Sequence, residues 1–259
     1  EVTITLTDEV MRIHSTKHAV KIFSRAAKKA TLKGFGLFNT FGLKFLRLIS
    51  PVLPTVVIKL VYQRVRANSK GLILPYEVAG LTKVLRRRTK QGIRLNINVL
   101  GEAVLGQHEA DTRLKQILEM ITRPDVDYIS VKLSAVVAQM VTIDHAGSLE
   151  KVCERLRILY RAALEDKTFI NLDMEEYRDL ALTVDAFKKV LMEPEFGAMS
   201  AGIVLQAYLP ESHAAFHDLA TWAKKRYEKF GGAIKIRLVK GANLAMEKAE
   251  GEFNGWTPA

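Results

Sequence analysis

Two textures divide the chain. From residue 94 onward, short apolar stretches alternate with longer amphipathic ones at intervals of roughly 30 to 40 residues, the rhythm of successive βα units. The stretches 95–100, 128–133, 169–172, 203–205 and 233–239 read as strands. In 233–239 the apolar run is interrupted at alternate positions by Lys235 and Arg237 and closes on Lys240-Gly241, a period of two ending in a glycine turn. Between the strands, 110–122, 149–166, 177–192 and 212–230 read as helices, the first carrying Leu114, Ile117, Leu118 and Ile121 on one face. Regular alternation of strand and helix predicts a parallel sheet, and strands this short and evenly spaced predict a (β/α) barrel. An open doubly wound sheet would show G-x-G-x-x-G after its first strand, and Gly101-Glu102-Ala103 is not that turn.

Residues 1–90 carry no strand pattern and read as a helical arm, with the barrel segment occupying 91–259. Lys17, Lys21, Arg25, Lys29 and Lys33 recur every fourth residue, a cationic stripe opposite Val20, Phe23, Ala27 and Ala30. Such a stripe is ordinarily the solvated face of a packed helix; its functional reading is attraction to anionic lipid or nucleic acid. Gly34, Gly36 and Gly42 lie among Phe35, Phe38 and Phe41, without the strand and helix context of a nucleotide loop. The stretch 76–90 is helical, and its basic end at Arg86, Arg87, Arg88 and Lys90 suits a helix carboxyl terminus.

Composition narrows the class. The 259 residues are 48% hydrophobic, enough for a sizeable core in one or two domains. A formal net charge of +11 asks for an acidic partner: nucleic acid, anionic lipid or a phosphorylated cofactor. The single cysteine, Cys153, excludes an intramolecular disulfide and a cysteine-based zinc site, fits a reducing compartment, and reads as a small core residue. The apolar run 48–58 is too short to span a bilayer and is broken by Pro51 and Pro54. The expected location is the cytoplasm, with peripheral contact at the inner membrane. His213 and His217 have metal-ligand spacing on a helix, but no third ligand is apparent and no metal is expected. Trp222 and Trp256 read as core.

The chemistry gathers at the strand ends. In a parallel barrel the loops at the carboxyl ends of the strands build the active site, so Glu102, Lys132, Asp173, Gln206, Arg237 and Lys240 should converge on one mouth. Lys132 and Asp173 suit either an ion pair or the two ends of an amino-acid zwitterion. Gln206, Arg237 and Lys240 offer donors to something flat and electron-accepting, or to phosphate. For any one of these residues alone, a structural salt bridge is the simpler account; several polar strand ends in register favour a site.

These stretches resemble a known family. N-V-L-G-E-A (98–103), Y-I-S-V-K-L-S-A (128–135), I-N-L-D-M-E-E-Y (170–177), V-L-Q-A-Y-L (204–209) and I-R-L-V-K-G-A-N (236–243) are similar, in order, to the strand motifs of proline dehydrogenase. More narrowly, they resemble the proline-oxidising module of bacterial bifunctional proline utilisation flavoenzymes. The resemblance implies FAD-dependent oxidation of L-proline to Δ1-pyrroline-5-carboxylate, with hydride passing to flavin N5 and electrons onward to quinone. It implies that Lys132 pairs with the substrate carboxylate and that Asp173 sits beside substrate and flavin. Gln206 and Arg237 would bond the isoalloxazine edge, Arg237 near N5, where a preorganised cation stabilises the charge that hydride arrival creates. Lys240, Gly241, Ala242 and Leu244 would line the flavin, with Ala242 and Asn243 near the substrate. Many relatives carry an aromatic pair where Asn243 and Leu244 stand, a departure that bears on flavin and substrate packing.

The family barrel has eight strands and this sequence shows five, so a longer polypeptide or another chain is expected to supply the rest, a pyrroline-5-carboxylate dehydrogenase domain being the further partner the resemblance implies, and these residues alone are expected to lack full activity. Two other classes compete. A nucleic-acid-binding repressor would use the basic arm, but no DNA-binding module is visible before residue 94. A Schiff-base lyase barrel would use Lys132 or Lys240 as its amine.

Overall fold

The computed structural model describes residues 15–29, 42, 45–46, 48–68, 74, 78–99, 103–141, 143–174, 176–241 and 243–256. The expectations for Lys33, the 34–41 glycine-aromatic segment, Gly101-Glu102 and Ala242 lie outside them. Two compact units result, Glu1–Leu81 and Thr82–Ala259.

In the first unit, helix α1 (Thr16–Lys29) packs on α2 (Pro54–Asn68). Ala19 and Phe23 of α1 and Val57, Ile58 and Val61 of α2 form the shared core, with Val20, Ile22, Leu46, Ile49 and Tyr62 against it. Lys21 and Arg25 point to solvent, as the three- and four-residue spacing of the apolar positions requires. Apolar side chains are also exposed: Leu48, Val52, Leu53 and Val56. No helix among the described residues is long and apolar enough to cross a membrane. The boundary between units falls inside α3 (Val78–Lys90), whose exposed Arg86, Arg87 and Lys90 close its carboxyl end.

The second unit is the alternating segment. Strands β1 (Ile97–Asn98), β2 (Tyr128–Lys132), β3 (Phe169–Asp173), β4 (Ala201–Gln206) and β5 (Ile234–Val239) form one parallel sheet in sequential order. Helices α4 (Gln107–Ile121), α6 (His145–Glu165), α7 (Leu180–Leu191) and α8 (Glu211–Phe230) connect them; a short α5 (Leu133–Val136) follows β2 directly, and α9 (Leu244–Asn254) follows β5. The order never reverses, so the sheet has no doubly wound switch point. It is also rolled. Neighbouring strands lie about 4.8 Å apart, which would put β2 and β5 about 14 Å apart in a flat sheet, yet Lys235 Nζ of β5 donates to the Tyr128 hydroxyl of β2 at 2.9 Å. The arrangement is a partial TIM-type barrel, as the alternation predicts.

Most boundaries agree with the pattern within a few residues. Among the described residues of 95–100, β1 pairs with β2 at Ile97 and Asn98, while Arg94 just before it is held by Asp127 at 2.8 Å. The helix expected from 177 begins with a 3-10 turn at Tyr177–Asp179 before α7. In α6, Val152, Cys153, Leu156, Leu159, Tyr160 and Ala163 are buried along one face, and Asp144 caps the start by accepting from Gly147 N at 2.9 Å. Cys153 is a core residue, as expected. Trp222 packs against Phe187 with ring centroids 5.8 Å apart, whereas Trp256 is 66% exposed and is not core.

One buried cation ties the two last strands in place. Arg226 of α8 is fully buried, and its guanidinium donates to the carbonyls of Leu191, Phe196, Met199 and Gly232 at 2.7–2.9 Å. Those carbonyls belong to the turns that lead into β4 and β5. Every donation ends on a backbone acceptor, so the guanidinium supplies hydrogen bonds that the helix end and irregular turns do not fully make among themselves; Phe196 O alone of the four also accepts within its turn, from Met199 N.

Candidate active site

The inward face of the sheet is built from alternate residues. Period two places Ser130 with Lys132 on β2 and Asn171 with Asp173 on β3, and the parallel register sets Ser130 beside Asn171 and Lys132 beside Asp173. On β5, Lys235 and Arg237 share a face, Arg237 standing opposite Val204 of β4. Three of the strand-end residues of the sequence reading, Lys132, Asp173 and Gln206, are the last residues of their strands.

Asp173 is the centre of this face. Arg237 Nη2 donates to its Oδ1 at 2.6 Å, reaching from β5 across β4 to β3. The same oxygen accepts from the Ser130 hydroxyl at 3.0 Å and from Asn171 Nδ2 at 3.1 Å. Asn98 Nδ2 of β1 stands 3.4 Å from Oδ2. Burial pushes the Asp173 carboxyl above its ordinary value, and the Arg237 guanidinium, the Ser130 hydroxyl, Lys132 and the Asn171 amide pull against it. Arg237 Nε is buried and has no hydrogen-bond partner among the described residues. The ion pair thus holds a spare donor beside a desolvated carboxyl, which suits a ligand with acceptor atoms and a cationic nitrogen.

The other predicted positions surround this pair with different degrees of engagement. Gln206 is fully buried at the end of β4, in register with Val239. Lys240 is exposed just past β5. Gly241 has φ of +144°, and a Cβ there would fall 2.2 Å from two ring carbons of Tyr208, so only glycine lets this backbone lie against the ring. The Tyr208 hydroxyl in turn donates to Glu247 Oε1 of α9 at 2.6 Å, and Glu247 N bonds Asn243 O, fastening the turn after β5. Asn243 precedes α9 and Leu244 begins it, 42% exposed. His213 and His217 bring their Nε2 atoms to 3.3 Å, but among the described residues no three metal-ligating side chains cluster.

Ser130, Asn171, Asn98 and the Tyr208–Glu247 pair were not singled out by the sequence reading. A signal existed for the first two: each is polar, in an otherwise apolar strand, two residues before a strand-end charge and therefore on its face.

Comparison with known proteins meets this geometry from another direction. The proline dehydrogenase family matches residues 81–259. Bifunctional protein PutA of Escherichia coli K12 is 28% identical over 184 residues, covering 66% of this chain and 13% of that protein. Proline dehydrogenase of Deinococcus radiodurans is 30% identical over 162 residues, 60% of this chain and 46% of that protein. The chain therefore spans less than half the length of these curated relatives. Among solved structures, proline utilization A from Corynebacterium freiburgense shares 52% identity with a TM-score of 0.72, over 76% of this chain and 21% of that one. The Bdellovibrio bacteriovorus protein shares 25% identity with a TM-score of 0.74, over 99% of this chain and 30% of that one. With the family match covering the whole rolled sheet and its Asp173-centred face, the chain belongs to the proline dehydrogenase family.

Proposed function

We propose that this chain carries the substrate-binding and flavin-facing part of an FAD-dependent enzyme that oxidises L-proline to Δ1-pyrroline-5-carboxylate and passes the electrons to quinone. The observation that carries this reading is the half-buried Asp173–Arg237 pair on the inner face of the family-matched segment, with Arg237 Nε left without an acceptor among the described residues. Asp173, held against a cation, offers an oxygen to the ammonium of proline, and Lys132 beside it offers a charge to the carboxylate. The donor set fits a flavin: Arg237 and Gln206 would face the acceptor edge of an isoalloxazine, and Lys240, Gly241 and Leu244 its flank, with Ala242 added on the family resemblance alone. When bound, FAD supplies the two-electron acceptor for the hydride lost from the carbon next to the proline nitrogen. The chain's part is to hold the substrate nitrogen and carboxylate apart, exclude water, and keep a cation where negative charge grows.

The test is spectroscopic. Purified holoenzyme is expected to show flavin absorbance that bleaches anaerobically with L-proline and returns with a soluble quinone; a colourless protein, or a flavin indifferent to proline, refutes the reading. N-propargylglycine, which inactivates the Bdellovibrio relative, is expected to inactivate this enzyme as well. We further propose peripheral contact with the inner membrane through the first unit, supported by exposed Lys21 and Arg25 together with exposed Leu48, Val52, Leu53 and Val56. Co-sedimentation with vesicles containing anionic lipid, and none with neutral vesicles, is the expected result. We propose as well a pyrroline-5-carboxylate dehydrogenase domain as partner, a reading in keeping with relatives named bifunctional and tested by NAD reduction in the same preparation.

A further inference from the structure

We infer that Ser130 and Asn171 are positioning residues that act through Asp173: they commit its Oδ1 to the protein so that Oδ2 is the oxygen presented to the substrate nitrogen. The inference rests on the proline-oxidation reading above and adds a division of labour between the two oxygens of one carboxylate.

Oδ1 is filled. It accepts from Arg237 Nη2 at 2.6 Å, Ser130 Oγ at 3.0 Å and Asn171 Nδ2 at 3.1 Å, from three different strands. Oδ2 receives only Asn98 Nδ2 at 3.4 Å among the described residues, a long contact that leaves acceptor capacity. The two inner donors are themselves held. Asn96 Nδ2 donates to Ser130 Oγ at 2.8 Å, which occupies the hydroxyl's acceptor side and turns its proton toward Asp173. Asn171 is fully buried, and its amide fits only because position 202 is glycine: a Cβ there would lie 2.5 Å from Asn171 Oδ1. Ser130 is 3% exposed. Neither residue is required by strand propensity, and a buried polar group is costly: the Ser130 hydroxyl and the Asn171 Nδ2 are satisfied through Asp173, while Asn171 Oδ1 has no partner among the described residues, so the amide is kept at a cost that its bond to Asp173 explains.

The charged groups bearing on Asp173 are Lys132 from its neighbouring strand β2 and Arg237 from β5; Lys235, two residues before Arg237, is turned to Tyr128. Hydrogen bonds from Ser130 and Asn171 favour the ionised carboxylate against its burial. Removing either therefore makes Asp173 harder to ionise.

The experiment is the pH profile of kcat/KM for L-proline in the holoenzyme, for the wild type, Ser130→Ala, Ser130→Thr and Asn171→Ala. The acidic limb is expected to move up by about one pH unit in Ser130→Ala and Asn171→Ala, with recovery toward the wild-type plateau at high pH, and to stay in place in Ser130→Thr. In an Asp173→Asn background, Ser130→Ala is expected to change kcat/KM less than twofold. A parallel titration follows the 13C carboxyl resonance of Asp173 without substrate, assigned by its loss in Asp173→Asn, and is expected to move in the same direction. Asn98→Ala, at an exposed position and bonded to Oδ2, is the control expected to move both readouts less; if the alanine variants fail to fold, Ser130→Cys, near in size and a weak donor, is read in the same way. Profiles lowered uniformly without a shift, an unmoved resonance, or full additivity with Asp173→Asn overturn the inference. If proline fails to reduce the wild-type flavin, the proposed function falls, while the resonance still tests the cradle by itself.

Discussion

Arg237 Nη2 lies 2.6 Å from Asp173 Oδ1, and 64 residues of chain separate the two. The contact spans β4, so it exists only because the sheet sets β3 and β5 on either side of one strand with both side chains on the same face. In the proposed function, Arg237 is the cation that would stabilise charge developing on a bound acceptor. Its replacement by glutamine keeps some hydrogen bonding and removes the charge. Arg237→Gln is expected to slow proline-dependent flavin reduction by about 100-fold or more, the scale for losing one preorganised donor. Anaerobic stopped-flow reduction measures it, with flavin content monitored separately.

Asp173 gives a stability prediction of definite sign. Its carboxyl is raised above the ordinary value by burial, so between the unfolded and folded values the native state holds more protons. That contribution is fully present below the unfolded value and is lost as pH rises through the folded one, leaving a desolvated charge at neutral pH. Asp173→Asn is therefore expected to gain stability relative to the wild type as pH rises from about 3.5 to 7. The readout is the difference in denaturation midpoint at each end of that range. A difference that shrinks with rising pH contradicts it. Loss of turnover in the same variant would mark a stability cost kept for function.

Gly241→Ala tests the turn after β5. The new methyl cannot coexist with the Tyr208 ring at 2.2 Å, and φ of +144° is unsuited to alanine. The expected outcome is weaker flavin retention, read as the ratio of flavin to protein absorbance after gel filtration. Adding Tyr208→Ala removes the clash but not the backbone strain, so retention is expected to recover in part.

Arg226 is predicted to matter for stability and not for chemistry. Arg226→Met removes the donor from the carbonyls of Leu191, Met199 and Gly232 and one of two from that of Phe196, which keeps Met199 N, a loss of about 3 kcal/mol or more. Arg226→Lys is expected to rescue little, because one ammonium cannot reach the directions of a planar fork. Chemical denaturation provides the measure, and kcat per bound flavin is expected to be unchanged.

The sequence by itself determined the order of elements, because the periods of two and 3.6 are local properties and each strand is bounded by turn residues close by. It also determined which side chains share a strand face: Lys132, Asp173, Gln206 and Arg237 were legible as strand-end groups for that reason. What it left open was the meeting of faces. Whether Arg237 reaches Asp173, whether Ser130 and Asn171 turn to the same oxygen, and that Arg226 gathers three carbonyls about 30 residues away with one nearby were decided by the packing of the sheet and the parallel crossovers. These bring together groups 43 to 75 residues apart around Asp173. Alternation specifies a face, but only the packed, rolled sheet specifies the distance across it, and hydrogen bonds and ion pairs depend on distances of tenths of an ångström.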